Sequence, residues 1–98
     1  MAIRHVITIH AAPGKAAEFA NVFKVVQATA LQEDGCEQYE LFQSLDAPDT
    51  FVLLERWASQ EQLDRHMAAE RSRDSGPMDA LIALWAPGQT PTVERFEV

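Results

Sequence analysis

The side chains best suited to chemistry lie on a segment that reads Glu55-Arg56-Trp57 and on the stretch that follows it. His66 comes three residues after Leu63 and one before Met67, at the apolar edge of a helical pattern. An imidazole with an ordinary pKa of about 6.5 exchanges protons near neutrality, so it could remove a phenolic proton or orient a substrate. The competing reading is a core-edge histidine with satisfied hydrogen bonds. Trp57 shares a strand face with Phe51, Leu53 and Glu55. Its indole is either a wall that stacks on an aromatic ligand and donates one hydrogen bond, or ordinary core packing. Glu55, flanked by apolar residues, must be paired, hydrated at a rim or raised in pKa. A structural ion pair is the leading expectation for it, and a general base the sharper alternative.

Further candidates are apolar. Phe19 and Phe23, four residues apart, and Ile7 and Ile9 can line the same cavity as Leu53, with core packing as their default role. Tyr39 offers a hydroxyl either to a ligand or to a sheet edge. His5 and His10 differ by five strand positions and so face opposite sides, which prevents them from meeting on one metal. The lone Cys36 cannot form an internal disulfide and has no activating base beside it, so a reducing compartment is the default and no role is assigned to the thiol.

These residues need a scaffold, and 98 residues allow one domain spanning 1–98. Eight Lys and Arg against fifteen Asp and Glu give a net charge of -7, the wrong sign for phosphate backbones or anionic lipid, so nucleic-acid and membrane partners are not expected. No apolar run is long enough to span a bilayer, and no secretory signal is apparent at the amino terminus. A cytoplasmic location is the resulting expectation.

β-Branched residues from Ile3 to His10 predict a strand closed by Pro13-Gly14. Phe19, Val22, Phe23, Val26 and Ala30 recur at helical steps and predict a helix from about Lys15 to Glu33, with Gly35 as its stop. Glu37–Leu45 and Thr50–Ala58 flank Asp46-Ala47-Pro48-Asp49 and predict a hairpin. Ser59 and Gln62 read as a capping box opening a second helix that runs to about Arg73. Gly76-Pro77 opens a third, with Met78, Leu81, Ile82 and Trp85 on one stripe, and Pro87-Gly88 ends it. Thr92–Val98 is the final strand.

The order is β-α-β-β-α-(α)-β: an α+β, ferredoxin-like split βαβ fold, a four-stranded antiparallel sheet with helices on one face. The third strand is apolar on both faces, Phe51, Leu53 and Trp57 on one side and Val52 and Leu54 on the other, whereas the helices of one chain cover only one side. A sheet-to-sheet homodimer is therefore expected.

The chain resembles the antibiotic biosynthesis monooxygenase (ABM) family, whose protomers pair into a dimeric α+β barrel. The resemblance rests on Pro13-Gly14-Lys15, on Glu33-Asp34-Gly35-Cys36 leading to Tyr39-Glu40, and above all on Phe51-Val52-Leu53-Leu54-Glu55-Arg56-Trp57 followed by Leu63 and His66. It implies a small oxygenase acting on phenol-, quinol- or anthrone-like aromatics without flavin, haem or metal. It also implies that Trp57 sits in the substrate pocket. Some quinone-forming members carry an Asn four residues before this Trp, where this chain has Leu53. Haem-degrading members carry an Asn on the first strand, where this chain reads Val6-Ile7-Thr8, and that argues against haem.

Two other functions compete with the monooxygenase. Relatives of the same fold isomerise small phosphorylated metabolites, which here would require Arg4, Lys15, Arg56 or Arg65 to converge on the pocket mouth. A non-enzymatic small-molecule-binding or stress-response dimer is the third reading.

Overall fold

The computed structural model describes residues 1–72 and 76–98. The elements run β1 (Ile3–His10), α1 (Ala16–Leu31), β2 (Cys36–Gln43), β3 (Thr50–Trp57), α2 (Gln60–Ser72), α3 (Gly76–Ala83) and β4 (Thr92–Glu97). The sheet order is β2-β3-β1-β4 with every neighbouring pair antiparallel, the ferredoxin-like arrangement expected from the element order.

Strand alternation decides what the helices cover. Facing them are Ile3, Ile7 and Ile9 of β1, Phe51, Leu53, Glu55 and Trp57 of β3, and Tyr39 and Leu41 of β2. The stripe Phe19, Phe23, Val26 and Ala30 of α1 and Leu63 of α2 close this layer into the core. The opposite face carries Val6, Val52 and Leu54, each half-buried, with Phe42 and Phe96 still 47% and 46% exposed. Among the described residues, none covers it.

A bulge in β2 sets the aim of its inward residues. Cys36 pairs with Trp57 and Gln38 with Arg56, so Glu37 is the extra residue and its carboxylate receives Arg56 Nε at 2.9 Å. Because one position is absorbed, Cys36 and Tyr39, three apart, face the same side.

Several boundaries differ from the sequence expectation. Helix α1 stops at Leu31, so Gly35 does not cap it; its φ of 85° instead turns the connection into β2. The hairpin loop is wider than the Asp46–Asp49 reversal, because Ser44 N–H closes onto the Thr50 carbonyl at 2.9 Å. The capping box is half formed. Ser59 Oγ accepts from Gln62 N–H at 3.3 Å, but the Gln62 side chain accepts the Ser59 hydroxyl and donates to Asp34 rather than returning to the Ser59 amide. The expected end of α2 near Arg73 lies outside the described residues.

Candidate active site

Between the sheet and α1, α3 and β4 lies a cavity of about 540 Å³. Its walls are apolar: Ile7, Ile9, Phe19, Phe23 and Leu53 from β1, α1 and β3, closed by Met78, Leu81 and Ile82 of α3, by Trp85 just beyond it and by Val93 of β4. The stripe read from helical spacing is thus a cavity wall, but the helix stops at Ala83 rather than at Pro87-Gly88, and Trp85 reaches the wall from the segment after it, bridged to Ala11. Polar groups enter through Tyr39, Glu55, Glu70, Arg71 and Thr90.

Tyr39 and Glu55 are direct cross-strand neighbours, and His5 lies opposite Glu55 on the other side, so the three form a row across the inner sheet face. Tyr39 is 3% exposed, stacks on Phe23 with ring centres 5.6 Å apart, and its hydroxyl makes no hydrogen bond with the described residues. Burial pushes its pKa up, with the Glu55, Glu70 and Glu33 charges adding to the effect. Glu55 is 5% exposed and accepts from the Trp57 indole N–H at 2.9 Å. Burial raises its pKa, and that hydrogen bond together with the His66 charge offsets only part of the rise. Among the described residues it has no ion pair, so the expected structural salt bridge is replaced by a neutral donor on its own strand.

His66 is 4% exposed and both ring nitrogens meet carboxylates: Nδ1 lies 2.5 Å from Glu33 and Nε2 2.9 Å from Glu70. Two acceptors on one ring call for two N–H donors, which only the imidazolium has. Burial opposes that charge, but hydrogen bonds and attraction from Glu70 and Glu33 outweigh it and raise the pKa. Helical spacing puts Glu70 one turn after His66, and Glu33 arrives from the α1–β2 connection. The ring also lies 4.4 Å from Trp57 and 6.0 Å from Tyr39, centre to centre.

Of the residues named from sequence, Ile7, Phe19, Phe23, Tyr39, Leu53 and Glu55 all border the cavity. Trp57 and His66 do not border it: Trp57 is fully buried behind Glu55, and His66 sits behind Glu70. Glu33, Glu70 and His5 went unnoticed as site residues. Glu70 had a readable signal in its four-residue step from His66. Strand alternation places His5 on the same face as Ile7 and Ile9, though only the register sets it opposite Glu55, and Glu33 had no such signal because the α1–β2 connection brings it in. His5 tends toward its neutral form through burial, reinforced by the Arg95 and His66 charges. The four cations considered for a phosphate do not converge on the cavity: Arg4 and Arg56 bond to Gln38 and Glu37, Arg65 pairs with Asp34 and Glu61, and Lys15 is not among the lining residues. Among the described residues no cluster of His, Cys, Asp and Glu could hold a metal, and no helix is long and apolar enough to cross a membrane.

The fold recurs in solved structures. A conserved protein from Methanosarcina mazei Go1 is 28% identical, with 98% of this chain and 91% of that one covered and a TM-score of 0.82. A Caulobacter crescentus CB15 protein with a provisional antibiotic biosynthesis monooxygenase assignment is 28% identical, with coverage of 99% and 89% and a TM-score of 0.83. SnoaB from Streptomyces nogalater, described as a cofactor-independent oxygenase, superposes with a TM-score of 0.81 at 21% identity, covering 99% and 92%, a likeness of fold alone. No curated protein matches the chain. The family model described as antibiotic biosynthesis monooxygenase matches residues 2–75, across the first three strands, α1 and α2, and the chain belongs to that family.

Proposed function

We propose that this protein is a cofactor-independent monooxygenase that oxidises a small phenol-, quinol- or anthrone-like aromatic with molecular oxygen. The observation that carries this reading is the aromatic-walled cavity with one buried carboxyl, Glu55, beside a Tyr39 hydroxyl that makes no hydrogen bond among the described residues. Such a reaction draws its electrons from the substrate. The substrate loses two hydrogens, one oxygen atom is bonded to carbon, and the other leaves as water. Glu55 accepts the substrate proton in a site whose apolar walls exclude bulk water, and Trp57 fixes the receiving carboxylate through its indole N–H. His66, held by two carboxylates and away from the cavity surface, acts as an orienter of Glu70 rather than as a free base. Ile7, Phe19, Phe23 and Leu53 shape the ring-binding walls. The family membership and the description of SnoaB support oxygenation without an added cofactor.

The outer sheet face supports a homodimer, since Phe42 and Phe96 lie there with Leu54 and Val52. A phosphorylated substrate is disfavoured because Arg4, Lys15, Arg56 and Arg65 do not converge on the cavity, which leaves the exposed Arg71 as the cation at its border among the described residues. The test is oxygen uptake with a panel of anthrones and hydroquinones. Uptake should exceed the spontaneous rate and fall by about 100-fold or more in Glu55→Gln, the ordinary contribution of a positioned base. No uptake above background on any compound, or equal uptake by the variant, overturns the assignment.

A further inference from the structure

The polar groups of the cavity differ in a way that bears on what can be bound. Deep in the site, Tyr39 and Glu55 are both more than nine-tenths buried and stand side by side across β2 and β3. Among the described residues the Tyr39 hydroxyl makes no hydrogen bond, and the indole N–H of Trp57 reaches one oxygen of Glu55, Oε1. A third group, Glu70, borders the same space while its Oε1 faces the His66 ring. The walls around them are aliphatic and aromatic, so charge brought there is poorly screened. Arg71 also borders the cavity, but its side chain is exposed and its charge is shared with water.

We infer that the polar side of the cavity, where buried Tyr39 and Glu55 meet the partly exposed Glu70, is a specificity device that takes aromatic ligands whose inserted end donates hydrogen bonds and turns away those ending in an anion. A ligand hydroxyl donates to a carboxyl oxygen and accepts from the Tyr39 hydroxyl, giving the hydroxyl a partner and the carboxyl a second donor beside the one it already has. A ligand carboxylate offers no hydrogen to Glu55 or Glu70 and places like charges together in an apolar enclosure. The inference rests on the aromatic-ligand reading above and narrows it: Glu70, held in place by His66, decides which aromatics enter, whether or not they are oxidised.

Calorimetric titration with naphthol, naphthoate and unsubstituted naphthalene, three probes sharing one ring system, tests it without turnover. The expected order is naphthol tightest, with naphthoate weaker by about tenfold or more, as like-charge juxtaposition demands. In Glu70→Gln, whose site is partly exposed and tolerant, and in the near-isosteric Glu55→Gln, the gap should narrow because naphthoate gains. Naphthoate binding as tightly as naphthol, as it would if Arg71 captured it at the mouth, overturns the selection and leaves the aromatic pocket standing. Naphthalene matching naphthol overturns the hydrogen-bonding role, and an undiminished gap in both variants removes the carboxyl groups from it. If none of the three binds, the aromatic-ligand reading falls along with the inference.

Discussion

Replacing Glu33 by Gln keeps the shape of the side chain and removes one of the two negative charges on the His66 ring. A hydrogen bond to a charged group contributes roughly 1.5 to 3 kcal/mol and a neutral one roughly 0.5 to 1.5, so the exchange costs about 1.5 kcal/mol while the ring is protonated. For a chain of this size that is a fall in Tm of about 6 to 12 °C. The sign with pH follows from the protons. His66 has a raised pKa in the folded protein, so the folded state binds the proton more tightly than the unfolded chain. The stabilisation is complete below the unfolded value of about 6.5 and is lost as pH rises through the folded value. Glu55 acts in the same direction: its raised folded pKa makes ionisation unfavourable, a penalty absent below the ordinary carboxylate range and growing as pH rises. These two groups therefore take stability away on going from mildly acid to alkaline pH, while His5, whose folded pKa is lowered, contributes with the opposite sign near its unfolded value. Glu33→Gln should be clearly weaker than wild type at about pH 6, with a smaller deficit at about pH 9 as the ring loses its proton. Thermal unfolding at fixed protein concentration, with the His66 ring followed by NMR titration, gives both quantities. An equal deficit at both pH values would refute the charge argument, and so would a His66 pKa unchanged by the substitution.

Gly35→Ala should lose about 2 kcal/mol in denaturant unfolding, because φ is 85° and the new Cβ would lie 2.8 Å from Gln62 Cβ, a fixed atom of α2; a neutral result would show that the loop and α2 move apart freely. Trp57→Phe removes the donor held by Glu55 and should destabilise by about 1 to 3 kcal/mol, the usual penalty for a buried group left unsatisfied, while retaining the fold by circular dichroism. Leu54→Asp with Phe96→Asp should convert a dimer to a monomer in sedimentation velocity, and a wild type that sediments as a monomer at micromolar concentration would end the sheet-to-sheet proposal.

Much of the architecture is legible because it follows from periodicity. The helical steps of Phe19, Phe23, Val26 and Ala30 and the alternation through Phe51, Leu53 and Trp57 fix which faces are buried, and the turn residues separate the elements. The walls of the cavity follow from the same patterns, including the α3 stripe. What the spacing does not encode is contact between distant segments. His66 was legible as a residue able to exchange protons, yet its protonation and its distance from the cavity depend on Glu33, which is 33 positions away in sequence. Glu55 was expected to find a cation, and found an indole two residues along its own strand. The half-formed capping box failed for a related reason: Asp34, brought close by the Gly35 turn, offered the Gln62 amide a competing acceptor.

The bulge at Glu37 has a bearing on how relatives of different length should be compared. Cys36, Gln38 and Tyr39 would face the same sides if Glu37 were deleted, since the strand would then simply alternate from one to the next. The chain thus has one residue of slack between the Gly35 turn and the Tyr39–Glu55 pair. In an alignment, a single-residue gap belongs at Glu37, where its structural consequence is confined to the ion pair with Arg56. A gap placed between Tyr39 and Gln43 would reverse every later side chain of β2, exchanging the face that lines the cavity with the face that is left uncovered.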